Sequence, residues 1–227
     1  MNLIFPRKER LSLFQEATGI ESWSGLKILD YGGNAGNVLR DGLETGEIVE
    51  SDYTCLDVDF SAIDKGREDF PEATWIYYNR HNQVYSRTGD KFTKFPFEDN
   101  SFDILCAYSV HSHCSYEDFV FDLKEMKRVA KVVVTSVVDA AVIKSMGNKR
   151  KKDYGEVHPL WDDPILAMGY RYFINGDTVT YSQDLIPERC DFLLTQYNLD
   201  WLKEQHPEMK IVPAHSRFYQ PMVVISG

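Results

Sequence analysis

The sequence predicts an α/β fold on a doubly wound, mostly parallel sheet with helices on both faces. Three observations predict it. Short apolar runs rich in β-branched and aromatic residues alternate with segments of helical spacing. Several of those runs lack the polar–apolar alternation of a half-solvated strand, as strands covered on both faces do. A glycine-rich turn joins the first clear strand to the first clear helix.

Taken in order, residues 9–18 read as a leading helix and 26–31 (LKILDY) as the first strand. Residues 37–45 place Val38, Leu39 and Leu43 on one side of a helix. A second strand follows at 53–58 (YTCLDV), a helix at 61–70, and a third strand at 74–78 (TWIYY). The fourth strand is 102–108 (FDILCAY). The helix after it, 116–130, sets Phe119, Val120, Leu123, Met126, Lys127 and Ala130 on one face with charges opposite, and a fifth strand follows at 132–138. From 139 to 197 the rhythm breaks. Within that stretch 171–174 and 178–181 flank Asn175-Gly176-Asp177, a hairpin signal because Asn-Gly supplies the positive φ angles of a tight turn. The chain 1–227 is therefore expected to be one domain, with an insertion at about 140–197 capping the carboxyl edge of the sheet. A short helix at 199–206 and two final antiparallel strands, 210–214 and 222–226, joined by a tight connection, complete it.

Bulk composition narrows the function. With 43% hydrophobic and 26% charged residues over 227 positions, the chain can bury a core without disulfides or metal. Thirty-five acidic against 25 basic residues leave a net charge of −10, which repels phosphate backbones. The one basic run, Lys149 to Lys152 (KRKK), reads as a solvated loop, so nucleic acid is not an expected partner. No apolar run approaches the roughly 20 residues of a membrane span, and the apolar residues at the start precede the charges, the reverse of a secretory signal. A cytoplasmic protein is expected. The four cysteines show no CxxC spacing, and Cys55 and Cys106 sit inside strand-like runs as small hydrophobes. Monomer and homodimer both remain open.

The chemistry concentrates at 27–40, KILDYGGNAGNVLR. In a strand, glycine turn, helix unit the backbone can approach a ligand closely and the helix start offers free N–H groups. A dinucleotide fingerprint begun at Gly32 would need glycine at 34 and 37; both are Asn, and no Tyr-x-x-x-Lys spacing supports a nicotinamide-dependent reductase. What stands there is Asp30-x-Gly32-Gly33-Asn34-x-Gly36. This resembles the first motif of class I S-adenosylmethionine-dependent methyltransferases, an acid followed by G-x-G-x-G, with Asn34 in place of the middle glycine. The stretch 95–103 (FPFEDNSFD), then ILCAYSVHSH and the helix ending KEMKRVAK, is similar to the same family's run into its fourth strand and helix. The similarities cover roughly residues 25 to 138, without the usual Pro-Gly-Gly turn before the fifth strand.

The resemblance implies a seven-stranded sheet of order 3-2-1-4-5-7-6, its last strand antiparallel, and a methyltransferase using S-adenosylmethionine and releasing S-adenosylhomocysteine. It implies that Asp30, Gly32, Gly33, Asn34 and Gly36 hold the methionine part, Asp57 the ribose, Val58 the adenine face, and Tyr108 or Ser109 the sulfonium side. Asp59 is the alternative to Asp57; whichever is not used caps the helix that follows. The acid that commonly follows the third strand has no clear counterpart, and Asn79 is the nearest polar residue. Beyond the fourth strand, His113, two residues after His111, is the best-placed base if the acceptor must lose a proton. His111, His113 and Cys114 do not share one face of an extended strand end, so no metal site is read from them. Tyr154, His158, Trp161, Tyr170 and Tyr172 are candidate walls of an acceptor pocket. The expected reaction is methylation of an oxygen or nitrogen of a small molecule. The alternatives are an RNA or protein modifier and a non-catalytic S-adenosylmethionine-binding protein.

Overall fold

A computed structural model describes residues 10–82, 85–86, 88–139, 171–175, 178–182, 193–213 and 220–226. Helix α1 (Arg10–Thr18) leads to β1 (Ile28–Tyr31), α2 (Asn37–Thr45), β2 (Tyr53–Asp57), α3 (Phe60–Asp69) and β3 (Thr74–Tyr77). Then come β4 (Phe102–Ala107), α4 (Tyr116–Val129), β5 (Ala130–Ser136), β6 (Arg171–Asn175), β7 (Thr178–Ser182) and β8 (Leu193–Tyr197). Helix α5 (Leu199–Gln205) and strands β9 (Lys210–Val212) and β10 (Met222–Ser226) follow.

Seven strands form one sheet in the order β3-β2-β1-β4-β5-β10-β9. The pairs from β3 through to β5 are parallel, and β10 runs antiparallel to both its neighbours. Because β9 and β10 are the sixth and seventh strands of this sheet in chain order, this is the expected 3-2-1-4-5-7-6 arrangement. All four residues of β1 are buried, as are the last three of β2 and the last four of β4, which explains why these runs read as continuous apolar segments. One face packs Phe14, Trp23, Val38, Leu39, Ile63 and Trp75 from the α1 to α3 side against the sheet. The other packs Phe119, Leu123 and Met126 of α4 and Leu202 of α5. Each such fully buried side chain contributes about 1.5 to 3 kcal/mol.

Several expectations need correcting. Strand β5 begins at Ala130, directly on the end of α4, two residues earlier than the apolar run suggests. Helix α4 is not polar opposite its apolar stripe: Asp118, Asp122 and Glu125 are buried, whereas Val120 is 40% exposed. Their burial is possible because each carboxylate meets an arginine: Asp118 and Asp122 meet Arg80, and Glu125 meets Arg128, Nη2 to Oε2 at 2.6 Å. Strands β9 and β10 are separated by residues 213–221, too long a connection for a two-residue turn. The hairpin over 171–182 forms, with Asn175 paired to Thr178. A further strand, β8, which the sequence pattern did not single out, completes a separate three-stranded antiparallel sheet, β6-β7-β8. No helix among the described residues is long and apolar enough to cross a membrane.

Candidate active site

Parallel strands bring their carboxyl ends to one edge, and a cavity of about 500 Å³ opens there across the ends of β1, β2 and β4. Its first wall grows from the glycine turn. Gly32 has φ of 69°, and a Cβ on it would stand 2.4 Å from Val110 Cγ2, so both the turn and the approach of the β4 loop require glycine. Asn34 takes the left-handed φ of 53° that it tolerates better than most side chains, and its own Oδ1 accepts from Ala35 N–H at 2.8 Å. The Asp57 carboxylate ties this turn to β2. Oδ2 accepts from Asn34 N–H and Oδ1 from Asp59 N–H, each at 2.8 Å. Burial pushes the Asp57 carboxyl above its usual range, against the pull of those two backbone donors. Asp59 lines the same wall while capping α3, its Oδ1 accepting from Ser61 and Ala62 N–H.

Beneath the turn lies Asp30, whose Oδ2 accepts from Tyr53 Oη at 2.6 Å. Burial pushes its carboxyl up to about 6, although Tyr53 and the charge of Arg10 pull the other way. A Cβ at Gly33 would sit 2.6 Å from that carboxyl group, so the turn rests directly on the acid. Arg10 faces the cavity with its guanidinium 5.1 Å from the centre of the Tyr108 ring.

The second wall begins where β4 ends. Ser109, with φ of 60°, sits in a conformation that costs a non-glycine residue free energy. Its N–H donates to Ser136 Oγ at 2.7 Å, and Gln220 Nε2 donates to its hydroxyl at 3.1 Å. A 3-10 turn, His111–His113, follows. His113 faces the cavity, edge-on to the Tyr85 ring at 5.7 Å. Behind it Arg80, 4% exposed, meets two carboxylates of α4 that lie one turn apart. Nη2 donates to Asp118 Oδ1 at 3.0 Å, Nη1 donates to Asp122 Oδ1 and to Tyr31 Oη at 3.1 Å, and Nε donates to the Lys91 carbonyl at 2.7 Å. Tyr31 Oη donates on to Asp122 Oδ2 at 3.0 Å; burial raises its phenol well above the ordinary range, so it keeps its proton.

A family model described as "Methyltransferase domain" matches residues 29–133, the span from β1 into β5. This match supports a class I S-adenosylmethionine-dependent methyltransferase. Solved structures similar to this methyltransferase share its fold at low identity. The glycopeptide N-methyltransferase MtfA, solved with S-adenosyl-L-methionine, is 10% identical, with 99% of this chain and 96% of that one covered at a TM-score of 0.57. The PH0226 protein of Pyrococcus horikoshii OT3 is 15% identical over 96% of this chain and 89% of its own, at a TM-score of 0.54. An S-adenosylmethionine-dependent methyltransferase of Clostridium acetobutylicum ATCC 824 is 8% identical over 99% and 94%, at 0.53. No curated protein matches the sequence.

The methyltransferase brings Gly32, Asn34, Asp57, Val58, Tyr108, Ser109 and His113 together around one cavity. Asp30 and Gly33 lie directly behind that wall, and Gly36 stands at the start of α2 with its Cα side against Trp75. Two residues are placed elsewhere. Asn79 is exposed, its Oδ1 accepting from Thr88 Oγ1 at 3.2 Å, and the cavity takes Arg80, His81 and Asn82 from this segment. His111 is fully buried, with Nδ1 2.8 Å from Thr135 Oγ1 and Nε2 turned toward Asp122 Oδ2 at 3.5 Å. Tyr154, His158, Trp161, Tyr170 and Lys149 to Lys152 lie outside the described residues, and of Tyr172 the backbone alone is described, in β6. Sequence reading passed over Arg10, Arg80, Asp118, Asp122 and Gln220. For the two aspartates a signal exists: Ser115-x-x-Asp118 is a capping box that marks the start of α4, and it sets Asp118 and Asp122 on one helical face.

Proposed function

We propose that this methyltransferase moves a methyl group from S-adenosylmethionine to an oxygen or nitrogen of a small-molecule acceptor. The observation that carries the reading is the chemistry of the two facing walls: a carboxylate, an apolar side chain and a guanidinium on the donor side, an imidazole on the other. The donor set fits the cofactor. Each Asp57 oxygen retains acceptor capacity beyond the one backbone N–H it takes, enough for a ribose diol. Val58 offers an apolar face to adenine, the backbone of Gly32 and Asn34 lines the methionine part, and Arg10 suits a carboxylate. Bound there, the cofactor supplies an electrophilic methyl group on sulfonium sulfur.

The chain's own work is chiefly to hold the acceptor in line, which can lower a barrier by roughly 7 to 11 kcal/mol when alignment is complete. His113 takes the proton of an acceptor hydroxyl or ammonium group so that its lone pair can attack. Residues 140–197, with Tyr154, His158, Trp161 and Tyr172, form the acceptor's cap in this reading, and the enzyme works in the cytoplasm. Titration calorimetry with S-adenosylmethionine and S-adenosylhomocysteine tests the foundation. Both should bind, and Asp57→Ala should weaken each by about 10- to 100-fold, the worth of hydrogen bonds to a charged group. Absence of heat with either compound at millimolar concentration would remove the proposal.

A further inference from the structure

We propose that Asn82, Thr195 and Tyr197 are positioning residues that hold His113 in the cavity wall by gripping the backbone carbonyls around it. The inference rests on the reading of His113 as the base. Within the turn that carries His113, His113 N–H donates to the Val110 carbonyl at 2.9 Å, Ser112 Oγ to the Ser109 carbonyl at 3.0 Å and Cys114 Sγ to the His111 carbonyl at 3.8 Å, and bonds from distant parts of the chain are added to these. The carbonyls are held from afar. That of His111 accepts from Tyr197 Oη at 3.2 Å, that of His113 from Asn82 Nδ2 at 3.2 Å, and that of Cys114 from Thr195 Oγ1 at 2.6 Å. The partners stand 86, 31 and 81 positions away in the chain.

Three features make this a grip rather than incidental contact. Thr195 and Tyr197 are fully buried alternate residues of β8, so they share one face of that strand and both hydroxyls reach the turn. Burial holds the Tyr197 phenol well above its ordinary range, so its O–H stays a donor. Asn82 works with both ends of its amide: Nδ2 meets the His113 carbonyl, and Oδ1 accepts from Tyr85 N–H at 3.0 Å, placing the ring that stands edge-on to the imidazole. A buried carbonyl left without a partner costs about 1 to 3 kcal/mol, so the turn has one favoured register on β8. A base must stay within hydrogen-bond reach of its proton, and fixing its backbone from two directions achieves that.

The test is the 13Cε1–1H spectrum of the full chain, recorded alone and saturated with S-adenosylhomocysteine, with His113→Asn identifying the signal. Wild type should give one narrow His113 signal. Tyr197→Phe and Thr195→Val, which each remove a hydroxyl at nearly constant shape, should split or broaden it, as should Asn82→Ala. The signal of His206 beyond α5 should stay put, which a general loosening of the fold would not allow. An unchanged His113 signal in all three variants overturns the inference. Failure of S-adenosylhomocysteine to bind would instead strike the proposed function, and the ligand-free spectra would still decide the grip.

Discussion

The two walls of the cavity are built on different length scales. In the wall from β1 and β2, the bonds that shape the turn join residues close in the chain: Asn34 to Asp57 and Tyr53 to Asp30, each 23 positions apart. In the wall from β4 and α4, Arg80 reaches Asp118 and Asp122 across 38 and 42 positions, and β8 reaches the His113 turn across more than 80. The bonds of the first wall lie within one supersecondary unit, β1-α2-β2. The second exists only once the sheet, α4 and the small sheet have come together. The difference teaches that the two walls stand on separate supports, so the proposed donor binding and the proposed acceptor chemistry should respond separately to mutation.

The largest effect should come from cutting the long-range wall at its centre. Arg80→Met keeps most of the side-chain volume but leaves the Asp118 and Asp122 carboxylates facing each other in a buried site, and breaking a buried pair in this way costs about 3 to 5 kcal/mol. Urea unfolding at pH 7 would measure it. A loss below about 1 kcal/mol would mean that the cluster is a solvated edge of the cavity, and the contrast between the walls would lose its energetic basis.

The support beneath the first wall has an acid–base signature. Folding raises the Asp30 carboxyl from 3.8 to about 6, so between those values the folded chain binds more protons than the unfolded one. The sign is therefore adverse: the stability linked to this group is full below about pH 4 and is lost as pH rises through 6. A shift of this size corresponds to on the order of 3 kcal/mol. Asp30→Asn keeps a partner for Tyr53 Oη and removes the titration. It should flatten the pH dependence of unfolding free energy between pH 4 and 6 relative to wild type. Parallel curves for the two proteins would show that the acid under the turn ionises as freely as in solvent.

Legibility followed the same division. The glycine turn, the Asp59 cap and the clustering of Asp57 and Val58 with that turn were readable, because each depends on residues of neighbouring strand–helix units, whereas the sheet order followed from the family resemblance. Arg80 was invisible, since an arginine after β3 reads as a solvated charge until two aspartates on another helix are found to face it. The burial of Asp118 and Asp122 was misread for the same reason: helical periodicity sorts charges to the outside unless a partner is known. His111 and His113 look alike in sequence, yet the turn sends one toward Thr135 in the core and the other into the cavity. Asn79 stands outside the cavity lining, where Gly89 packs tightly against its carbonyl and a Cβ would come to 2.3 Å.

The smallest effect probes the one departure from the glycine motif. Asn34 holds φ of 53° with its side chain satisfied by Ala35 N–H, so it stands where the motif's middle glycine would and meets the same backbone demand by another route. Replacing it by glycine removes the residual strain and the local bond together, and the two changes should nearly cancel. Replacing it by alanine keeps the strain and removes the bond, which should cost about 1 to 2 kcal/mol of stability. Because the Asn34 N–H is also the donor to Asp57, any drift of the turn should appear in S-adenosylhomocysteine affinity as well. Asn34→Gly should therefore bind like wild type and Asn34→Ala more weakly, by a smaller factor than Asp57→Ala. If Asn34→Ala binds as tightly as Asn34→Gly, the carboxylate of Asp57 alone sets the donor wall and the shape of the turn follows from it.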